Sequence, residues 1–179
     1  GLYRRTHLPY LLRYPNSPTG NAQTRTKDLS ARFGIDYSRE TVRYQREQIR
    51  DLLSSRLDTQ KLNRRGYMKE LRQSKIILAP FGWGEITLKD FEVFLTGGML
   101  LKPSMDHLET WPDFYTDGVT YKSFDWNLSD VEKKIECALD DSQTRETIAS
   151  EGHRRYLQHT SGVNAGEIFA THLANVLTT

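Results

Sequence analysis

The stretch 75-KIILAPFGWGEITLKDFEVFLTGGMLLKP-103 decides the fold. It opens on the short apolar run 75-KIIL-78, which reads as a strand buried on both faces of a parallel sheet. Residues 86–97 then carry Leu88, Phe91, Phe94 and Leu95 along one side of a helix, which Gly97 and Gly98 stop. A second apolar run, 99-MLLKP-103, closes on Pro103. Strand, helix and strand in this order make a βαβ unit.

Working outward, residues 1–35 read as irregular, with a turn-rich 15-PNSPTGN-21. A helix is expected from about Ser38 to Leu57, with Ser38 as its cap and Val42, Ile49, Leu52 and Leu53 toward the core. A short helix over Arg65–Gln73 would bury Tyr67, Met68 and Leu71. Another strand is expected in 119-VTYKSF-124, followed by helices near 129–140, 142–159 and 163–177, the first opened by a Ser129/Glu132 capping box. The fold class is therefore α/β, a parallel sheet flanked by helices. A basic, partly helical segment, 1–60, would precede the domain proper, 61–179.

Composition narrows the class. At 179 residues with 27% charge, the chain can bury a sizeable core. No run approaches the ~20 apolar residues of a membrane span. No signal peptide is visible either, so the expected place is the cytoplasm or the periphery of a membrane surface. The chain begins abruptly at Gly1, as a fragment of a longer one would. The single Cys137 excludes an internal disulfide and, beside Ile135, Ala138 and Leu139, reads as a small core residue. Residues 1–75 hold 17 Lys/Arg against 7 Asp/Glu, whereas residues 76–179 hold 8 against 16. A basic part binds nucleic acid, an anionic surface or the phosphates of a small ligand, or docks on the acidic part. Arginines interleave with aromatics over 39–65, which suits RNA, but the same residues fit an amphipathic helix.

The candidate site lies between strand and helix. In open α/β sheets, ligands bind beyond the carboxyl ends of the strands, where 80-PFGWGEIT-87 falls. Gly82 and Gly84 permit positive φ and close approach of a ligand to the backbone, and the helix start presents N–H groups that favour phosphate. G-x-G lacks the third glycine of a dinucleotide fingerprint, and no G-x-x-x-x-G-K-[ST] is present. Glu92 flanks the apolar side of the helix, where a carboxylate needs a hydrogen-bonding partner. A ribose diol supplies one; Lys89 or a nearby Arg supplies the other reading. Glu85 either accepts from sugar hydroxyls or complements the helix dipole.

The order of apolar strand, P-F-G-x-G-E, helix with D-F-E, G-G and apolar strand resembles the donor-binding half of GT-B glycosyltransferases. The lead-in 67-YMKELRQSKIILAP-80 and the tail 148-IASEGHRRYLQHT-160 are similar to group 1 and spore-maturation-type members, so the resemblance covers roughly residues 64–175. It implies a Rossmann-like domain and a metal-independent transfer of sugar from a UDP-, GDP-, ADP- or dTDP-linked donor to a glycan or other hydroxyl acceptor, with no cofactor. It also implies an N-terminal GT-B domain beyond this chain, which would supply any catalytic base. Glu92 then matches the glutamate that holds the ribose, and Glu85 stands near the one that touches the sugar. Gly84, Ile86 and Thr87 would offer amides to the diphosphate, and Lys89 would contact phosphate or support Glu92. With six residues between Glu85 and Glu92, the spacing is one short of the usual one. The alternatives are a non-catalytic nucleotide- or sugar-binding module and an RNA-binding protein.

A second cluster follows the next strand in 102-KPSMDHLETWPDFY-115. Lys102 and His107 suit phosphate, and Asp106, Glu109 and Trp111 suit a sugar. The other reading is a structured loop with Trp111 and Phe114 packed on the sheet. No metal-ligand spacing, G-x-S-x-G or H-E-x-x-H is present.

Overall fold

The computed structural model describes residues 25–178. The βαβ unit is formed by β2 (Ser74–Leu78), α3 (Leu88–Thr96) and β3 (Met99–Pro103). Ahead of it stand β1 (Lys27–Ser30), α1 (Glu40–Leu53) and α2 (Arg64–Gln73). After it come β4 (Lys122–Phe124), α4 (Val131–Asp140), α5 (Ser142–Thr160) and α6 (Ala165–Thr178). The four strands form one parallel sheet in the order β1-β2-β3-β4, with Leu29 opposite Ile76, Ile77 opposite Leu100 and Leu101 opposite Lys122.

Both faces of the sheet are covered, so the central strands are apolar without alternation. Ile76, Leu78, Met99 and Leu101 pack against Ile49 and Leu53 of α1 and Val131 and Ile135 of α4. Ile77, Ala79 and Leu100 face the other way, onto Leu71 of α2, Val93 and Phe94 of α3 and Tyr156 of α5. Each such aliphatic side chain contributes about 1.5–3 kcal/mol by leaving water.

α3 ends on Gly97, whose φ of 70° closes the helix in the left-handed conformation. At Gly98 the chain enters β3 so tightly that a Cβ would come 2.1 Å from Ile77 Cδ1. Beside this corner the buried Arg25 donates to the carbonyls of Leu71, Ser74 and Thr96, and burial pulls its guanidinium down to about 10. It thereby satisfies the carboxyl ends of α2 and α3.

Several expectations are corrected. β1 lies within the stretch expected to be irregular, and residues 1–24 of that stretch are outside the described residues. β1, which lies in the basic segment 1–60, pairs with β2, and α1 packs on the same sheet. α1 starts at Glu40 with Arg39 at its cap position, not Ser38. Leu52 points to solvent, since the buried row of that helix runs through Val42, Ile49 and Leu53. α4 is preceded by Asp130, and Ser129 is spent on Asp125 and Asn127, so the Ser129/Glu132 box does not form. Cys137 is exposed, because Val131 and Ile135 define the inner face of α4.

Candidate functional site

β2 delivers the chain to the carboxyl edge of the sheet, where residues 79–87 loop back into α3. The loop is tight: the Gly82 amide donates to Gly84 O at 3.0 Å. Neither glycine uses positive φ, which among the glycines described occurs only at Gly97 and Gly118. What they provide is space. A Cβ on Gly82 would come 3.3 Å from Thr87 Cγ2 and 3.7 Å from Arg46 Nη2, whereas one on Gly84 would meet nothing within 4 Å.

The helix begins at Leu88, two residues later than expected, because Thr87 and Asp90 form a capping box. Asp90 accepts from the Thr87 amide and hydroxyl, each at 2.9 Å, so the Thr87 amide is engaged within the chain. The amides of Gly84, Glu85, Ile86 and Leu88 make no hydrogen bond among the described residues. They lie at the positive end of the α3 dipole, an arrangement that favours an anion.

Behind the loop, Asp90 forms a wholly buried pair with Lys102, at 3.2 Å, and also accepts from Tyr115 Oη at 2.9 Å. Burial pulls the Lys102 ammonium below its ordinary pKa, and Asp90 opposes that pull. Lys102 also lies 4.9 Å over the Phe81 ring. It is therefore a core residue under the loop, not an open phosphate ligand. The D-F-E triplet thus opens on the residue that caps the helix, and Thr87-x-x-Asp90 is itself a capping-box pattern.

Glu92 is 4% exposed, with Oε2 accepting from Tyr67 Oη at 2.8 Å and Oε1 paired with Arg64 at 3.0 Å. Burial pushes its carboxyl above the usual range, against the pull of Tyr67 and Arg64. The partner anticipated as a nearby Arg is thus Arg64, itself half exposed. Lys89 extends the other way and donates to Arg32 O at 2.9 Å. Burial pulls its ammonium down to about 7 despite the nearby Glu92. Glu85 and Ile86 sit half-buried in the loop.

Arg46 of α1 was not expected at the site. It is 6% exposed and donates from Nε to Phe81 O at 2.7 Å and from Nη1 to Gly34 O at 2.8 Å, tying the glycine loop to the loop after β1. Around the loop stands a rim of rings. Trp83, 60% exposed, lies 6.2 Å from Tyr37 and has Arg39 5.2 Å over its face. Phe81 lies 5.7 Å from Trp126 and 6.2 Å from His107.

The second cluster therefore separates. Lys102 is in the core, His107 joins the rim, and Asp106 and Glu109 are exposed. Trp111 leaves the site altogether, stacking on His172 of α6 at 3.9 Å, while Phe114 is buried. Among the described residues, no three His, Cys, Asp or Glu side chains converge as a metal site. No described helix is long and apolar enough to cross a membrane.

A model of glycosyl transferase-like proteins matches residues 29–170, from β1 into α6. The chain belongs to the glycosyl transferase-like family. This family match bears out the resemblance to GT-B glycosyltransferases, and the parallel sheet flanked by helices is the fold that resemblance implied. Crystal structures of Anabaena Alr3699/HepE share the fold of this glycosyl transferase-like chain. The complex with UDP has a TM-score of 0.54 at 13% identity, over 92% of this chain and 55% of that one. The complex with UDP and glucose gives 0.51 at 15%, over 73% and 36%. The complex with UDP-glucose gives 0.50 at 12%, over 95% and 52%. The chain thus spans between about a third and about half of those structures. No curated protein matches it in sequence.

Proposed function

We propose that this chain is the donor-binding domain of a glycosyltransferase that moves a sugar from a nucleoside-diphosphate donor to an acceptor hydroxyl, without a bound metal. The observation that carries this reading is the family match across residues 29–170, which takes in the whole strand–loop–helix unit. The geometry supports it: the amides of Gly84, Glu85, Ile86 and Leu88, without hydrogen bonds among the described residues, lie in the loop at the carboxyl edge of a parallel sheet. In this reading the diphosphate lies on those amides, and the leaving charge is stabilised by donors already in place. Glu92 exchanges its half-exposed Arg64 partner for the ribose diol and keeps the Tyr67 hydrogen bond. Glu85 and Gly84, which leaves the loop open, border the sugar. A complementary domain brings the acceptor and any catalytic base, and the enzyme works in the cytoplasm.

The nucleotide is open among UDP, GDP, ADP and dTDP. UDP and UDP-glucose, bound by the Anabaena structures, are the first to test. A nucleotide sugar at 100 times its Kd should stabilise the domain by about 2.7 kcal/mol. Glu92→Ala should remove most of that gain. The reading fails if no nucleotide sugar raises the melting temperature, or if Glu92→Ala responds as the parent does.

A further inference from the structure

Beside the glycine loop lies a hollow of about 230 Å³, between α1 and the turn that follows β4. Tyr44, Gln45 and Gln48 of the helix form one wall, and Trp126, Asn127 and Leu128 of the turn form the other. It adjoins the loop through Trp126, whose ring lies 5.7 Å from that of Phe81. In a chain with 27% charged residues, none of these six is charged. The charges next to them on the helix are engaged elsewhere, Arg43 with Glu47 at 3.9 Å and Arg46 with the carbonyls of Phe81 and Gly34. A phosphate or a metal ion would find no counter-charge in these walls, so the hollow suits an uncharged ligand.

Two features suit a ligand rich in hydroxyls. The rings of Tyr44 and Trp126 are 62% and 48% exposed, one on each wall. Such rings offer broad apolar faces with a polar tip, which match the C–H face and hydroxyl edge of a sugar ring. Gln45 is 2% exposed, yet its Oε1 has no hydrogen-bond partner. Its Nε2 reaches Trp126 O only at 3.5 Å, the outer limit of a hydrogen bond, so little holds the amide in this orientation. A buried amide oxygen that accepts nothing is destabilising, and a hydroxyl donor brought to it removes that cost. Gln48 and the Nδ2 of Asn127, whose Oδ1 accepts from the Ser129 amide, add polar atoms that no described residue uses. The walls thus hold both donors and acceptors, and a hydroxyl answers either.

The donor's nucleoside does not belong here. Glu92, assigned to the ribose, accepts from Tyr67 of α2, and α2 packs on the opposite face of the sheet from α1. We propose that the hollow is a sugar subsite, holding one neutral unit of an oligosaccharide acceptor that flanks the unit to be glycosylated. Its assignment to the acceptor rests on the donor-binding reading above, whereas its sugar chemistry does not. The complementary domain then presents the reacting hydroxyl, and the hollow steadies a unit farther along the same chain.

The test is an NMR titration of the isotope-labelled full chain with maltotetraose, cellotetraose and chitotetraose. At least one should bind, shifting the Trp126 indole and Gln45 side-chain amide signals, and saturating UDP-glucose should not displace it. Gln45→Leu and Trp126→Ala should each weaken that binding about tenfold, and Trp126→Phe should recover most of the loss. Gln45→Leu should also keep or raise the melting temperature, because it removes a buried acceptor without a partner. The inference is overturned if none of the three sugars binds at millimolar concentration, or if Trp126→Ala binds them as wild type does. It is equally overturned if the shifts fall on Gly84–Leu88 and UDP-glucose competes, or if Gln45→Leu melts lower and binds as before. In each of these cases the donor-binding reading stands on its own nucleotide-sugar titration. If a sugar binds at Gln45 and Trp126 but no nucleotide sugar binds, the sugar subsite stands and the donor-binding reading falls. Trp126, being exposed, decides the matter even if Gln45→Leu does not fold.

Discussion

Replacing Asp90 by alanine should damage this domain more than any surface change, and in a way that depends on pH. The carboxylate has four partners: the Thr87 amide, the Thr87 hydroxyl, Tyr115 Oη and Lys102 Nζ. Without it, Lys102 is left wholly buried beside the Phe81 ring. The cheapest escape is for the lysine to lose its proton. Starting from its ordinary 10.5, that costs about 5 kcal/mol at pH 7, at about 1.4 kcal/mol per pH unit. Breaking a buried ion pair on one side costs about 3–5 kcal/mol, which agrees. The folded variant then holds a neutral amine, while the unfolded chain holds a charged one. Unfolding takes up a proton, so the variant should gain about 1.4 kcal/mol of stability per unit between pH 7 and 9. Wild type should show a smaller slope, because Asp90 keeps the proton on Lys102. Urea denaturation at three pH values measures this directly. The double variant Asp90→Ala/Lys102→Met removes both charges and should regain most of the loss. A loss under about 1 kcal/mol, or a double variant no more stable than the single one, would refute the account of a dry, obligatory pair.

Glu70 should govern acid sensitivity. Burial pushes its carboxyl up, but hydrogen bonds from Arg32, Ser30 and Lys27 together outweigh that and hold it at about 2. Its contribution is therefore full above its ordinary 4.5 and lost as pH falls toward 2; with the half-exposed Lys27 partly screened, this amounts to about 2 kcal/mol. Comparing Glu70→Gln with wild type at pH 5 and pH 3 should show the wild type losing its advantage. Gly98→Ala should cost about 2 kcal/mol by overpacking, since the new Cβ would press on Ile77 Cδ1, and a melting temperature within a degree of wild type would contradict that geometry.

The unit from β2 to β3 was legible because two-sided burial leaves an unbroken apolar run, and the pair Gly97–Gly98 marks the turn between helix and strand. β1 was not, because Lys27 and Asp28 reach sideways to Glu70 and Lys75, so the strand reads as polar. Glu92 reads in the sequence as a carboxylate in need of a partner, and Tyr67 and Arg64 meet it in the structure. Which arginine answers it depends on α2 lying beside α3, and sequence spacing does not carry that. Asp90 with Lys102, and Arg46 with Phe81, join residues 12 and 35 positions apart, and only the parallel sheet brings them together. Cys137 was misplaced because its chain neighbours are apolar, whereas a helix sorts its faces three and four residues apart.

Arg25 has a consequence for how the domain can move. One guanidinium fastens three chain ends where strands enter the sheet, and the opposite edge carries the glycine loop with its aromatic rim. We predict that local opening is easier at that edge than at the corner fastened by Arg25. Hydrogen exchange should accordingly show slow amides at Ser74–Leu78 and fast ones across the loop that follows.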